Sequence, residues 1–203
     1  MGLFDNNDIK EVKIMTPELR KENCELKEIK MMEDQSVVFS FVDANGNGLN
    51  QRYFVPTRKE GASDDEFKKS ISLTISCVAH IARAFLSEAE FLAIKIDDGG
   101  NLNKIKESWV AYVTMTGKAL SGKYAGVKCA LKVVYRKAKD GKFYTSLPQV
   151  PSFISTANHP KEFVLDPKYD LLEKRGAAPD REVPTQEQQG PASGTGGGAP
   201  GSW

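Results

Sequence analysis

The residue pattern predicts a mainly β domain whose third and fourth strands are separated by an enlarged helical segment. Three observations lead there. Three strand-like runs follow one another between residues 23 and 56. Two amphipathic helical stretches then occupy about 63–117. A long alternating hairpin follows, turning at Asp140-Gly141. A chain of 203 residues holds one domain with a real core plus tails. The expected division is an N-terminal arm over 1–20, a domain over 21–175 and a tail over 176–203.

The first strand signal, NCELKEIKMM (23–32), carries Cys24, Leu26 and Ile29. The second, SVVFSFVD (36–43), alternates Val37, Phe39 and Phe41 with Val38, Ser40 and Val42. A turn, DANGNG, leads into LNQRYFVP (49–56), where Asn and Gly supply the positive φ of a tight hairpin. Pro56 ends the run, because proline cannot donate to a ladder. Ser63-Asp-Asp-Glu66 is a capping box with acids in the first turn. Phe67, Ile71, Ile75 (or Thr74), Val78, Ile81 and Phe85 mark the apolar face that follows. FLAIKI (91–96) reads as helix end or strand, and DDGGN (97–101) breaks the chain. A second helix over about 102–116 puts Ile105, Trp109, Val113 and Thr116 on one face. After the hairpin, LPQVPSFIST reads as irregular, and HPKEFVLDPKYDLLEKR as a short helix or loop packing back on the domain. From Gly176 the composition collapses, and 186–203 is Gln, Gly, Pro, Ala, Ser and Thr apart from Glu187 and Trp203, which cannot bury enough apolar area to fold.

Three strands, a helical segment and two more strands is the order of an OB-fold, a five-stranded, partly open barrel with its helix between strands 3 and 4. The helical insertion here would be enlarged, spanning about 63–117. An α+β sandwich fits the same order, because barrel closure leaves little trace in one sequence.

Gly117 to Tyr124 reads G-x-x-x-x-G-K-Y, one residue short of a phosphate-binding loop. Such a loop needs a Ser/Thr hydroxyl on magnesium, a strand before it and a helix after it. Tyr124 cannot supply that hydroxyl, and the pattern here runs helix, loop, strand. Gly117 and Gly122 suit a helix exit. The stretch is expected to be a basic connection.

Net charge is +1, so the whole molecule has no strong electrostatic bias. Local charge differs: between Lys118 and Lys142 stand eight Lys/Arg against one acid, Asp140. In 127–136 the apolar set occupies odd positions, and Lys128, Lys132 and Arg136 share the even face. The hairpin tip adds Lys137, Lys139 and Lys142, with Phe143 or Tyr144 turned to the cationic face according to the turn. In strand 3, Asn50, Arg52 and Phe54 share a face. Cations that follow a backbone beside aromatics that stack bases suit single-stranded nucleic acid. The candidate binding set is therefore Arg52, Phe54, Lys123, Lys128, Lys132, Arg136, Lys137, Lys139, Lys142, Phe143 and Tyr144. Outward lysines also blunt exposed strands, which is the alternative reading of the same face.

Cys24, Cys77 and Cys129 are widely spaced in apolar segments and read as buried, reduced thiols. No triad, metal cluster or framed pair of carboxylates is present, so neither catalysis nor a cofactor is expected. Asp97-Asp98 before Gly-Gly reads as a solvated turn. No leader h-region and no membrane span is found, and a cytoplasmic location is expected.

Across about 22–155 the chain resembles the single-stranded DNA-binding proteins of bacteriophages. The resemblance rests on NCELKEIK, on VVFSFVDANGNGLNQRYFVP, on the interposed helices and on KVVYRKAKDGKFYTSLPQVPSFI. It implies an OB-fold that coats single strands during replication, recombination or repair, without sequence preference and without catalysis. Many such proteins end in a flexible linker, an acidic tip and a terminal aromatic that engages replication or recombination proteins. The linker and Trp203 are present here, whereas the acidic tip is not. A non-catalytic structural or protein-interaction domain is the competing expectation. DNA against RNA, and the oligomeric state, are left open by the sequence.

Overall fold

Strands β1 (Glu18–Met31), β2 (Val37–Val42) and β3 (Gly48–Tyr53) lead into helices α1 (Asp64–Phe85), α2 (Glu88–Leu92) and α3 (Ile105–Leu120). Strands β4 (Lys128–Lys137), β5 (Phe143–Ser146) and β6 (Ile154–Thr156) complete the order. The computed structural model describes residues 13–95, 100–138, 140–148, 152–168 and 170–174. The strands form one antiparallel sheet, β3-β2-β1-β4-β5, with β6 also on β4. Among the described residues there are thus six strands where five were expected.

Strand β1 begins at Glu18, earlier than its alternation suggests. Its C-terminal half pairs with β2 and its N-terminal half with β4. Register shifts flank Lys21, and Asn23 has a φ of 57°. Such bulges bend a strand, which lets β1 serve two partners, and they also break the period-two pattern. Where β1, β2 and β3 lie side by side, Ile29, Phe39 and Gln51 form one inward row, and Leu26, Phe41 and Leu49 another. Val38 pairs with Arg52, and Ser40 with Asn50, on the outward face.

The sheet is not closed, since no ladder joins β3 to β5. A side chain spans the gap instead. Gln51 Oε1 accepts the Ser146 hydroxyl at 2.9 Å and the Leu147 backbone N–H at 2.8 Å. On the free edge of β3, Ile14 makes a parallel bridge to Gly48, and Met15 is fully buried. The last residues of the expected arm are therefore part of the fold.

The Ser63 capping box is present as read: Ser63 Oγ accepts the Glu66 N–H and the Glu66 carboxylate accepts the Ser63 N–H. Phe67, Ile71, Val78, Ile81 and Phe85 are buried along α1, together with Cys77, Ala82 and Ala84. A second box, Ser87 with Glu90, starts α2, so the ambiguous 91–96 stretch begins as a helix end. Helix α3 buries Trp109, Val113, Thr116 and Leu120. The Trp109 indole N–H donates to the Gln35 carbonyl at 2.8 Å, anchoring the β1–β2 turn. All three cysteines are buried and outside any disulfide. Burial raises Cys24 to about 12 and Cys77 to about 11.

The stretch 147–156, expected to be irregular, contains β6, whose three residues pair with Cys129–Leu131. All three are buried, so they carry no alternation to read. Beyond β6 the chain forms no helix among the described residues, but it does pack back. Leu171 bridges to Tyr135, and the Tyr135 N–H donates to the Leu171 carbonyl at 2.7 Å. That return covers the middle of the β4 face where a solvated cationic stripe was expected, while Lys128 stays exposed and Arg136 half-buried. Residues Cys129 to Val134 are all buried.

Candidate nucleic-acid interface

The motif G-x-x-x-x-G-K-Y resolves first. Helix α3 runs through Gly117 to Leu120, and Gly122, with a φ of 74°, lies in the turn beyond. Lys123 then pairs with Glu90 at 2.6 Å and Tyr124 packs edge-on against Phe85. The order is helix, turn, strand, the reverse of the strand, loop and helix that a phosphate-binding loop requires.

The predicted cations divide into two groups. The first is committed to acids of the same chain. Lys132 has no exposed surface. Its ammonium donates to Asp170 Oδ2 at 2.6 Å and to the Val164 carbonyl at 2.9 Å. It is a core ion pair and not a surface cation. The alternation argument failed there because it assumed that one face of β4 meets water. Lys128 pairs with Glu25, which also contacts Lys27. The Lys128 hydrogen bond is the largest influence holding the Glu25 carboxyl down at about 2. Lys128 also stands nine residues before the hairpin end of β4, roughly 30 Å away at strand rise. Lys123 reaches α2, and its hydrogen bond holds Glu90 down at about 2. The structure therefore brings neither Lys123 nor Lys128 to the hairpin.

The second group converges on the β4–β5 hairpin. Arg136 pairs in register with Tyr144, and Lys137 with Phe143. Opposed residues on antiparallel strands point the same way, so Tyr144 is the aromatic that shares the Arg136 side. It is 51% exposed. Phe143 lies half-buried, edge-on to Tyr135, with the Lys137 ammonium 5.9 Å from its ring centre. Lys142 is exposed at the tip, 3.7 Å from Asp140. Lys139 lies outside the described residues.

Tyr144 lines two open grooves. One, of about 580 Å³, also carries Arg136, Lys137, Lys168 and Leu73, with the carboxylates of Asp166 and of Asp170, the latter taken up by Lys132. The other, of about 620 Å³, runs between β3 and β5 and carries Asn50, Phe143, Ile14 and Lys174. The Lys174 ammonium stands 5.5 Å from the Tyr135 ring centre. Lys168, Lys174 and Ile14 were not singled out from the sequence. They arrive by chain return, and no local pattern announces that.

From Asn50 the outward face of β3 continues through Arg52 to Phe54. Phe54 is 59% exposed, and the Arg52 guanidinium lies 4.8 Å from its ring centre. Arg52 is held flat by donation to Ser36 Oγ and Asp34 Oδ2, both at 2.7 Å. Hydrogen bonds from Ser36 and then Arg52 pull the Asp34 carboxyl down to about 2. Arg52 and Phe54 thus form an oriented cation–aromatic pair beside the hairpin grooves. Among the described residues no cluster of three metal-ligating side chains occurs, and no helix is long and apolar enough to cross a membrane.

No known protein family, curated protein or solved structure matches this chain.

Proposed function

We propose that this chain binds single-stranded DNA without sequence preference, protecting it during phage replication, recombination or repair in the host cytoplasm, and that it is not an enzyme. The carrying observation is the Tyr144 ridge. An exposed aromatic stands between two grooves lined by Arg136, Lys137 and Lys174, and the outward Arg52–Phe54 pair continues the surface. Cations that follow phosphates and aromatic faces that stack bases are the parts that sequence-tolerant strand binding requires. The same reading takes the sheet as an OB-type barrel with an enlarged helical insertion. Support comes from the order β3-β2-β1-β4-β5, from the helices between β3 and β4, and from the Gln51 bridge across the β3–β5 gap. Partner proteins would meet the tail beyond residue 175.

A second reading has its own observation. Arg52, Lys123, Lys128 and Lys132 are each paired with an acid, as surface or core structure alone would require. On that reading the basic face is solvation on a structural or protein-interaction domain. A salt titration against fluorescent oligothymidylate and the matching duplex decides between them. Strand binding predicts preference for the single strand and affinity that falls as salt rises. A flat salt dependence, or equal affinity for duplex, leaves the interaction-domain reading.

A further inference from the structure

We propose that a bound strand does not stop at Phe54 but continues into the groove between the end of β3 and the helical insertion, so that the helices form part of the nucleic-acid path. This inference rests on the strand-binding reading above. The groove holds about 900 Å³, within the range of clefts that bury small ligands. Its wall begins at Val55, the residue after the exposed Phe54, so it opens where the outward β3 face ends.

The lining chemistry fits a polynucleotide. Pro56 and Phe67, both buried, and the half-buried Leu102 and Ile105 supply an apolar bed. Arg58, Lys68 and Lys106 stand around it. The Arg58 guanidinium lies over the Phe67 ring, 5.3 Å from its centre, and contacts Asp64, the acid of the lining. That contact offsets one cation and leaves two. Among the described residues no carboxylate is in ion-pair contact with Lys68 or Lys106, and both are exposed. They differ in this from Arg52, Lys123 and Lys128, whose charges are already met. Asn101 and Asn103 add amide groups, each both donor and acceptor, which suit base edges of any kind. Apolar bed, unpaired ammonium groups and amides together match bases laid on a surface with their phosphates at the rim.

Because the groove follows the β3 face in series, its contribution depends on strand length. The test uses the full chain, the double variant Lys68→Glu/Lys106→Glu, and oligothymidylates from about 4 to about 16 nucleotides, the span of single OB-fold site sizes. On the shortest strands the variant should match the wild type within twofold. On the longest it should lose at least tenfold in affinity. Its salt slope there should fall by roughly 1.4, about 0.7 for each phosphate contact removed. Thermal melting of the variant should match the wild type, since both lysines are exposed. Equal losses at every length, no loss at any length, or a wild-type affinity that stops growing at the shortest strands overturns the extended path and leaves the hairpin reading intact. A wild type that binds no oligothymidylate overturns the strand-binding reading, and this inference with it.

Discussion

Lys132 shows how one residue changes meaning once its surroundings are known. In the sequence it is the middle cation of a stripe. In the fold it is a buried ammonium with a carboxylate and a carbonyl as acceptors. Breaking such a pair strands its partner, so Lys132→Ala should destabilise the protein by about 3–5 kcal/mol, read by denaturant unfolding. The double replacement Lys132→Met/Asp170→Leu should recover most of that loss, because it removes both desolvated charges. A Lys132→Ala variant with wild-type stability and weakened strand binding would return this residue to the surface set. Tyr144 is the opposite case. Tyr144→Ala should leave melting unchanged and cost about 1–3 kcal/mol of strand affinity with little change in salt slope, as loss of one stacked base does. Phe143→Ala should lower the melting temperature first, since Phe143 packs on Tyr135. His80 bears on pH. It lies edge-on to Phe153, and burial, then the charges of Lys161 and Arg83, hold its pKa below the ordinary 6.5. A histidine with a depressed folded pKa binds its proton more readily when unfolded. Its contribution is therefore complete above pH 6.5 and declines as pH falls from there towards the folded value. Unfolding measured from pH 7.5 down should show that decline, and His80→Phe should flatten it.

At the scale of elements, the helix starts were legible and the strand ends were not. Ser63 and Glu66 announce α1 because a capping box is local chemistry, complete within four residues. Ser87 and Glu90 form the same box, and reading it would have resolved FLAIKI. Ser63→Ala should cost about 1 kcal/mol of stability, measured by unfolding, without changing strand affinity. Strands β1 and β6 were harder for physical reasons. The bulges in β1 erase period two, and β6 is three residues long and buried throughout. The β4–β5 hairpin lies between these cases. Gly141, with a φ of 83°, supplies the turn that Asp140-Gly141 predicts, and the turn fixes the register that puts Tyr144 beside Arg136.

For the whole molecule, the available charge is much smaller than the composition suggests. Of the eight Lys/Arg between Lys118 and Lys142, Lys123, Lys128 and Lys132 are held by close acids, whereas the Lys142 contact to Asp140 is loose, 3.7 Å with the lysine side chain 86% exposed. Salt dependence should follow that division. Arg136→Ala, Lys137→Ala and Lys142→Ala should each lower the single-strand slope by about 0.7, whereas Lys123→Ala and Lys128→Ala should leave it nearly unchanged. Slopes that fall equally for all five would mean that the ion pairs open on binding and that the whole stripe acts together.

Sequence alone determined the parts that depend on neighbours along the chain. These are the β2–β3 pair, the start and apolar face of α1, the position of α3, the β4–β5 turn and the three buried thiols. It also pointed to the hairpin, because alternation and an Asp-Gly turn are short-range signals. Tertiary structure decided what lies on the far side of each strand. Val164, Asp170 and Leu171 meet β4 and take Lys132 into the core; Gln51 spans β3 to β5; Ile14, Lys168 and Lys174 arrive from distant segments to build the grooves about Tyr144. Burial of a β face depends on what packs against it, and that partner can stand anywhere in the chain. Period two tells which residues share a face, but it does not tell whether that face meets water.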